Sequence, residues 1–262
     1  MKKITGIKGA ILIFFIFTIT HILSVFLYII IKDSFFYNSP DYNDLIYTAT
    51  SLIILLIFFL LFKKEERTMF IINCDSKWDR YLLIVLLLPF LFRIAADPIL
   101  RFNEIINPNL LLKEDFINDA KFSYIKAVFV FFKTVIVASI VEEIVFRGYM
   151  LKALRNSTIQ TQIFLTSLLF TLIHIPDSIS SLIFIFIFGL LTAIIAKRFG
   201  VLFSIIFHVV HNLIWYITYI YANEYWKIIK FLNFKLSYWG IIFVSIIIFY
   251  SLLKKYFNIC KK

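Results

Sequence analysis

Charge is scarce in this chain. Asp, Glu, Lys and Arg together make up only 16% of the 262 residues, against 61% hydrophobic and 19% aromatic ones. So little polar surface cannot cover a water-soluble globular domain of this size, which excludes a soluble enzyme. Cysteine is scarcer still. Cys74 lies in a polar loop and Cys260 in the tail, without the spacing of a metal knuckle or a redox pair, so no disulfide framework is expected. No internal repeat and no low-complexity tract stands out beyond the hydrophobicity itself. Acid is also in short supply, with 16 Asp and Glu against 27 Lys and Arg, a formal net charge of +11. In a bilayer protein such an excess serves orientation and contact with anionic lipid, so no nucleic-acid partner is expected.

What the chain has instead is long apolar runs, at residues 8–31, 45–62, 81–96, 122–152, 160–175, 181–196, 201–221 and 238–253. Each is near or above the roughly 20 residues that cross a bilayer. The expected fold is therefore all-α, a polytopic membrane protein of about eight transmembrane helices forming a single membrane domain over 1–262. Within it, 1–121 holds three N-terminal helices and their loops, 122–221 a four-helix core, and 222–262 a last helix and a basic tail. Lys2, Lys3 and Lys8 precede the first run as in a secretory signal. That run continues to Ile31, however, far past the roughly 7 to 15 residues of a signal core, and reads as a retained helix. Pro89 interrupts the third run and predicts a kinked or tilted helix. With the N-terminus inside, the inner segments carry 16 Lys and Arg against seven in the outer ones. This bias predicts both termini in the cytoplasm and a multi-pass protein of the cell membrane.

Polar residues inside these runs are few. Only Glu142 and Glu143 among the acidic residues lie well within one, while His21, His174, His208 and His211 all fall within or at the rim of an apolar segment. An acidic residue at mid-helix costs roughly 2.5 to 3.5 kcal/mol, so this doublet requires partners or water. Glu143 and Arg147 are at i, i+4 and can pair on one helix face, whereas Glu142 is turned about 100° away and can point elsewhere, as a water-activating base must. Phe170 with His174, and His208 with Asn212, have the same four-residue spacing. A His and an Asn one turn apart present two polar groups to a common point, as is needed to hold an oxyanion or a water. Charge clustering and interhelical hydrogen bonding are the simpler readings of each pair taken singly. His211 and His21 are read as structural. At 1.5 Å per residue, Glu142, His174 and His208 lie roughly 15, 21 and 12 Å from the cytoplasmic face, within one slab of membrane. A water cavity opening on the cytoplasmic side is expected there.

These residues resemble the signatures of the CPBP intramembrane proteases, related to the Rce-type CAAX prenyl endopeptidases and also called Abi or bacteriocin-processing proteins. The signatures EExxxR, FxxxH and HxxxN are matched in order by Glu142, Glu143 and Arg147, by Phe170 and His174, and by His208 and Asn212. The likeness covers roughly 122–221. It implies an eight-helix fold and hydrolysis of peptide bonds in membrane-associated peptides or proteins, in bacteriocin or signalling-peptide processing or in self-immunity at a bacterial plasma membrane. By this resemblance Glu142 is the general base, acting with His174 on the attacking water, and His208 and Asn212 bind the oxyanion. Glu143, Arg147 and Phe170 organise the site around them. A metal-free mechanism is favoured, although Glu142, His174 and His208 also match the His₂Glu pattern of a catalytic zinc. No histidine begins HExxH, and no glycine begins GxSG or GxGD, which removes the other intramembrane protease chemistries. A non-catalytic membrane scaffold or immunity protein on the same fold is the alternative. A small transporter would spread polar residues across both membrane halves, whereas here they cluster.

Overall fold

The computed structural model describes residues 6–35, 49, 52–53, 56, 60, 78–107 and 124–259. The apolar run at 45–62 lies almost wholly outside them. Among the described residues all regular structure is helical: α1 (Gly6–Phe35), α2 (Trp78–Ala95), the short α3 (Asp97–Leu100) and α4 (Phe102–Ile106), α5 (124–153), α6 (Ile159–Ile173), α7 (Ile179–Phe199), α8 (Val201–Ile220), α9 (Ala222–Leu232) and α10 (Leu236–Ile259). The helices α7, α8 and α10 are long and apolar enough to cross a membrane, and shorter apolar helices occur at Gly6–Thr20, Leu82–Ala95 and Ile159–Ile173.

Local chemistry sets the helix ends. Thr158 and Ser178 cap α6 and α7 by accepting the backbone N–H groups of Thr161 and Ser181 at 3.2 and 3.1 Å. Gly200, with φ +99°, is the single residue between α7 and α8. That backbone conformation is open to glycine at little cost, and it folds two long helices back against each other without a loop. Asn233, in the left-handed region, ends α9. Pro89 lies inside α2, as the sequence indicates.

The fifth element departs from a plain α-helix. Two π-helical stretches, Phe131–Ala138 and Ile144–Met150, flank the α-helical Ser139–Glu143. A π-stretch widens the turn and redirects side chains, and such insertions are frequent at functional sites.

The helices alternate in direction. The first half of α1 packs on the last part of α5, with Phe17 and Phe146 rings 5.6 Å apart, so α1 begins where α5 ends. At that end α6 and α8 also begin and α7 ends. Phe92, late in α2, packs on Phe184 at the start of α7 and on Phe249 in α10. A clasp closes the opposite end. Arg101 Nε donates to both Asp97 carboxylate oxygens at 3.2 and 3.0 Å, and its Nη2 to the Tyr225 hydroxyl at 2.8 Å. Tyr238 donates to Asp97 at 2.9 Å, and the guanidinium lies 4.5 Å from the Trp226 ring. Burial works against the charge of Arg101, but Asp97 foremost, with Tyr225 and Glu104, outweighs it and holds this group above its ordinary pKa. The clasp ties α3 to α9 and α10. The sequence reading has no helix between the apolar runs that end at 221 and begin at 238; the amphipathic α9 occupies most of that interval, held by Tyr225 and the buried Ile229.

Removing one partner of a buried pair leaves the other charge uncompensated and costs on the order of 3 to 5 kcal/mol. Asp97→Ala is expected to lower the melting temperature of the detergent-purified protein far more than Tyr238→Phe, which loses one hydrogen bond worth about 1 to 2 kcal/mol. Equal melting curves for Asp97→Ala and wild type would show that the clasp carries no stability.

Candidate active site

The carboxylate doublet divides its labour. Glu143 is completely buried, and its Oε1 lies 3.0 Å from His208 Nδ1. Arg147 Nε approaches Glu143 Oε2 at 3.4 Å, an ion pair without hydrogen-bond alignment. The guanidinium finds acceptors through Nη2 alone, which donates to the carbonyl of Gly189 at 3.0 Å and to the hydroxyl of Thr192, while Nε and Nη1 have no hydrogen-bond partner and the centre lies 4.3 Å from the Phe170 ring. Two charges expensive in lipid are thus held by each other, by a neighbouring helix and by a ring face.

Phe170 links this interior to the site. Its ring stacks on Arg147 and lies 4.5 Å from the His174 ring, while its carbonyl, 2.7 Å away, accepts the Nδ1–H of His174. That bond leaves His174 Nε2 with a lone pair facing outward. His174 is the C-cap of α6. The next residue, Ile175, adopts φ +44° and Pro176 follows. A β-branched residue in the left-handed region is unusual, and together the two stop the helix at the imidazole.

Glu142 points away from Glu143, as a 100° rotation requires. Its Oε2 lies 3.5 Å from His174 Nε2 and 4.0 Å from His208 Nε2, and it is buried without a hydrogen-bond partner. These three side chains come from α5, α6 and α8 and meet on the wall of a cavity of about 370 Å³. Among the described residues no three His, Cys, Asp or Glu side chains form a group that could hold a metal ion. The donor types match a zinc site, but their arrangement does not close around a cation.

Asn212 also lines the cavity. Its Nδ2 donates to the carbonyl of Thr134 at 2.9 Å and to Ser139 Oγ at 3.0 Å, so both amide hydrogens tie α8 to α5, one within its first π-helical stretch and one just after it. Ser139 and Thr134, and Gly189 and Thr192 of α7, escaped the sequence reading. Each is a small or hydroxyl residue in an apolar run, and Ser139 is three positions before Glu142. His211, read as structural, has its ring packed on Phe188, Phe92 and Phe184, yet it lines the same cavity with Nδ1 unpartnered. Lys133 and Trp215 line it as well.

The cavity does not run toward the end expected. Lys133 and Thr134 precede Glu142 on α5, Phe184 and Ile185 open α7, and Asn212 and Trp215 follow His208 on α8. All lead to the end opposite the start of α1. The sequence reading paired a cytoplasmic N-terminus with a cytoplasmic opening. The structure separates the two, because large side chains, Phe146, Met150, Phe199, Phe203 and Phe207, fill the interior toward the start of α1.

Gly189 lets α6 and α7 approach closely: a Cβ there would meet Ser167 Cα and Cβ at 3.3 Å and Phe170 Cδ1 at 3.4 Å. Gly189→Ala is expected to displace Phe170 and to destabilise by about 1 to 3 kcal/mol, read by thermal unfolding. Arg147→Lys keeps the charge but loses the fork and the stacking. It is expected to cost more stability than a surface Arg155→Lys, and matching unfolding curves for the two variants would refute the role given to the guanidinium.

Residues 124–214 match the family model of the type II CAAX prenyl endopeptidase Rce1-like proteins. The segment runs from the first residue of α5 into α8 and contains all seven residues of the three signatures. No curated protein and no solved structure matches the chain. The match spans 91 of the 262 residues, and over that segment the chain is similar to the CPBP/CAAX protease family.

Proposed function

We propose that this protein is a multi-pass intramembrane endopeptidase in which Glu142 activates water to hydrolyse a peptide bond of a membrane-associated peptide or protein. The observation that carries this reading is the unpartnered, buried Oε2 of Glu142 facing two imidazole nitrogens across a cavity. A carboxylate in lipid that makes no hydrogen bond within the protein needs water, and the imidazoles supply that water's remaining contacts.

In the proposed reaction the water donates one proton toward Glu142 and is held by the Nε2 lone pair of His174. Its oxygen bonds to the carbonyl carbon as the proton passes to Glu142. The oxyanion faces Nε2 of His208, whose ring is held at Nδ1 by Glu143. Asn212 contributes to the oxyanion when it releases one of its two hydrogen bonds, and otherwise fixes α8 against α5. Collapse breaks the C–N bond, and Glu142 returns its proton to the leaving amine. Glu143, Arg147 and Phe170 hold the geometry. The reading requires no cofactor and no metal. The eight-helix count, cytoplasmic termini and bacterial plasma membrane belong to the same proposal, as does the processing of bacteriocin-like or signalling peptides.

Glu142→Gln keeps the size of the side chain and removes the base. It is expected to lower cleavage at least 10²-fold, with normal membrane insertion and melting temperature, in a comparison of membrane peptides from cells carrying either form. Equal processing would favour a non-catalytic scaffold on the same fold. Chelation is expected to leave cleavage by the purified protein unchanged. A loss restored by zinc would replace this mechanism with a metal-assisted one.

A further inference from the structure

A buried histidine that the proposed reaction does not use lines the same cavity. Among the described residues around that cavity, two side chains carry a buried polar atom without a hydrogen-bond partner, Glu142 and His211. Glu142 is the base. His211 is 8% exposed and follows His208 by three residues on α8. With His208, Asn212 and Trp215 it forms an i, i+3, i+4, i+7 stripe along the cavity wall. Aromatic packing holds its ring, whose centroid lies 4.6 Å from that of Phe188, 5.7 Å from Phe184 and 5.8 Å from Phe92. Phe188 also lies 4.8 Å from the His208 ring and so spaces the two imidazoles. The polar groups nearby are committed or one-sided. Asn212 gives both amide hydrogens to α5, and Thr134 gives its hydroxyl hydrogen to the carbonyl of Val130. An ammonium such as that of Lys133 donates and cannot accept, whereas a neutral imidazole does both.

A peptide placed for cleavage brings main-chain N–H and C=O groups into a space walled largely by Phe170, Phe184, Ile185, Phe188 and Trp215, where an unpaired polar group is costly. A helical segment has bonded these groups within itself; an extended one has not. Three residues of α8 rise about 4.5 Å along its axis, against about 3.3 Å for each residue of an extended chain. With the cleaved carbonyl at Glu142 and His208, His211 stands opposite the next peptide group toward the Trp215 end. We propose that His211 is a substrate-binding residue, its imidazole hydrogen-bonding the main chain of an extended substrate one residue from the cleaved bond. This inference rests on the peptidase reading above. It gives the one polar group of the cavity wall that the reaction leaves idle the task of setting which bond reaches Glu142.

The test pairs a change in the protein with a change in the peptide. Fragments that depend on Glu142 supply a cleavage sequence, and a synthetic peptide of that sequence is the probe for the detergent-purified protein. Two further peptides carry an ester in place of the amide on one or the other side of the cleaved bond, which removes the N–H and weakens the carbonyl as an acceptor. The wild type is expected to cleave one ester peptide about tenfold less efficiently than the amide peptide. His211→Phe, which keeps the ring packing, is expected to raise KM for the amide peptide about tenfold with kcat little changed, and to treat that ester and the amide alike. His211→Leu is read in the same way should the phenylalanine variant fail to fold. Cleavage by the variants equal to wild type, or a loss that leaves the ester effect intact, overturns the role given to His211 while the peptidase reading stands. Absence of any Glu142-dependent fragment would instead refute the peptidase reading.

Discussion

Two carboxylates one residue apart in a membrane helix cannot share one solution to the cost of burial. At roughly 2.5 to 3.5 kcal/mol each, they must be neutralised, hydrated or expelled. Here Glu143 is paired with Arg147 and hydrogen-bonded to His208, and the helical rotation that follows from adjacency turns Glu142 to a different wall. Everything else about the site follows from that division. The guanidinium needs acceptors, which α7 provides at Gly189 and Thr192. The ring beneath it, Phe170, belongs to α6 and fixes the tautomer of His174 through its own carbonyl. Charge neutralisation on one face thus positions Glu142 and His174 on the other.

The scaffold is stiff where the site needs it. Gly200 joins α7 to α8 with no slack, Gly189 lets α6 and α7 meet at backbone distance, and the clasp around Asp97 holds α3, α9 and α10 at the mouth end. The π-helical stretches of α5 break the regular ladder beside the doublet, and Asn212 bonds to the carbonyl of Thr134 within the first of them. Asn212, for which the sequence leaves both oxyanion contact and interhelical bonding open, therefore braces two helices.

Much of this was legible in the residues. Apolar runs gave the helices of the described regions to within a few positions, because in lipid the backbone has no other way to satisfy its polar groups. The i, i+4 spacings of Glu143 with Arg147 and of Phe170 with His174 became real contacts, since four residues bring side chains onto one face whatever surrounds them. Other features could not be read. The α9 helix is short and amphipathic and falls between two apolar runs. The partners of Arg147 on α7 depend on which helices become neighbours. The direction of the cavity depends on where large aromatic residues fill the interior, which run lengths and spacings do not encode.

The most direct test is an experimental structure in a lipid bilayer, at a resolution that shows ordered water. The account predicts a water within hydrogen-bond reach of Glu142 Oε2 and at least one of the Nε2 atoms of His174 and His208, in a cavity open at the Trp215 end. A Glu142 side chain turned to lipid, or packed dry with both imidazoles out of reach, would contradict it.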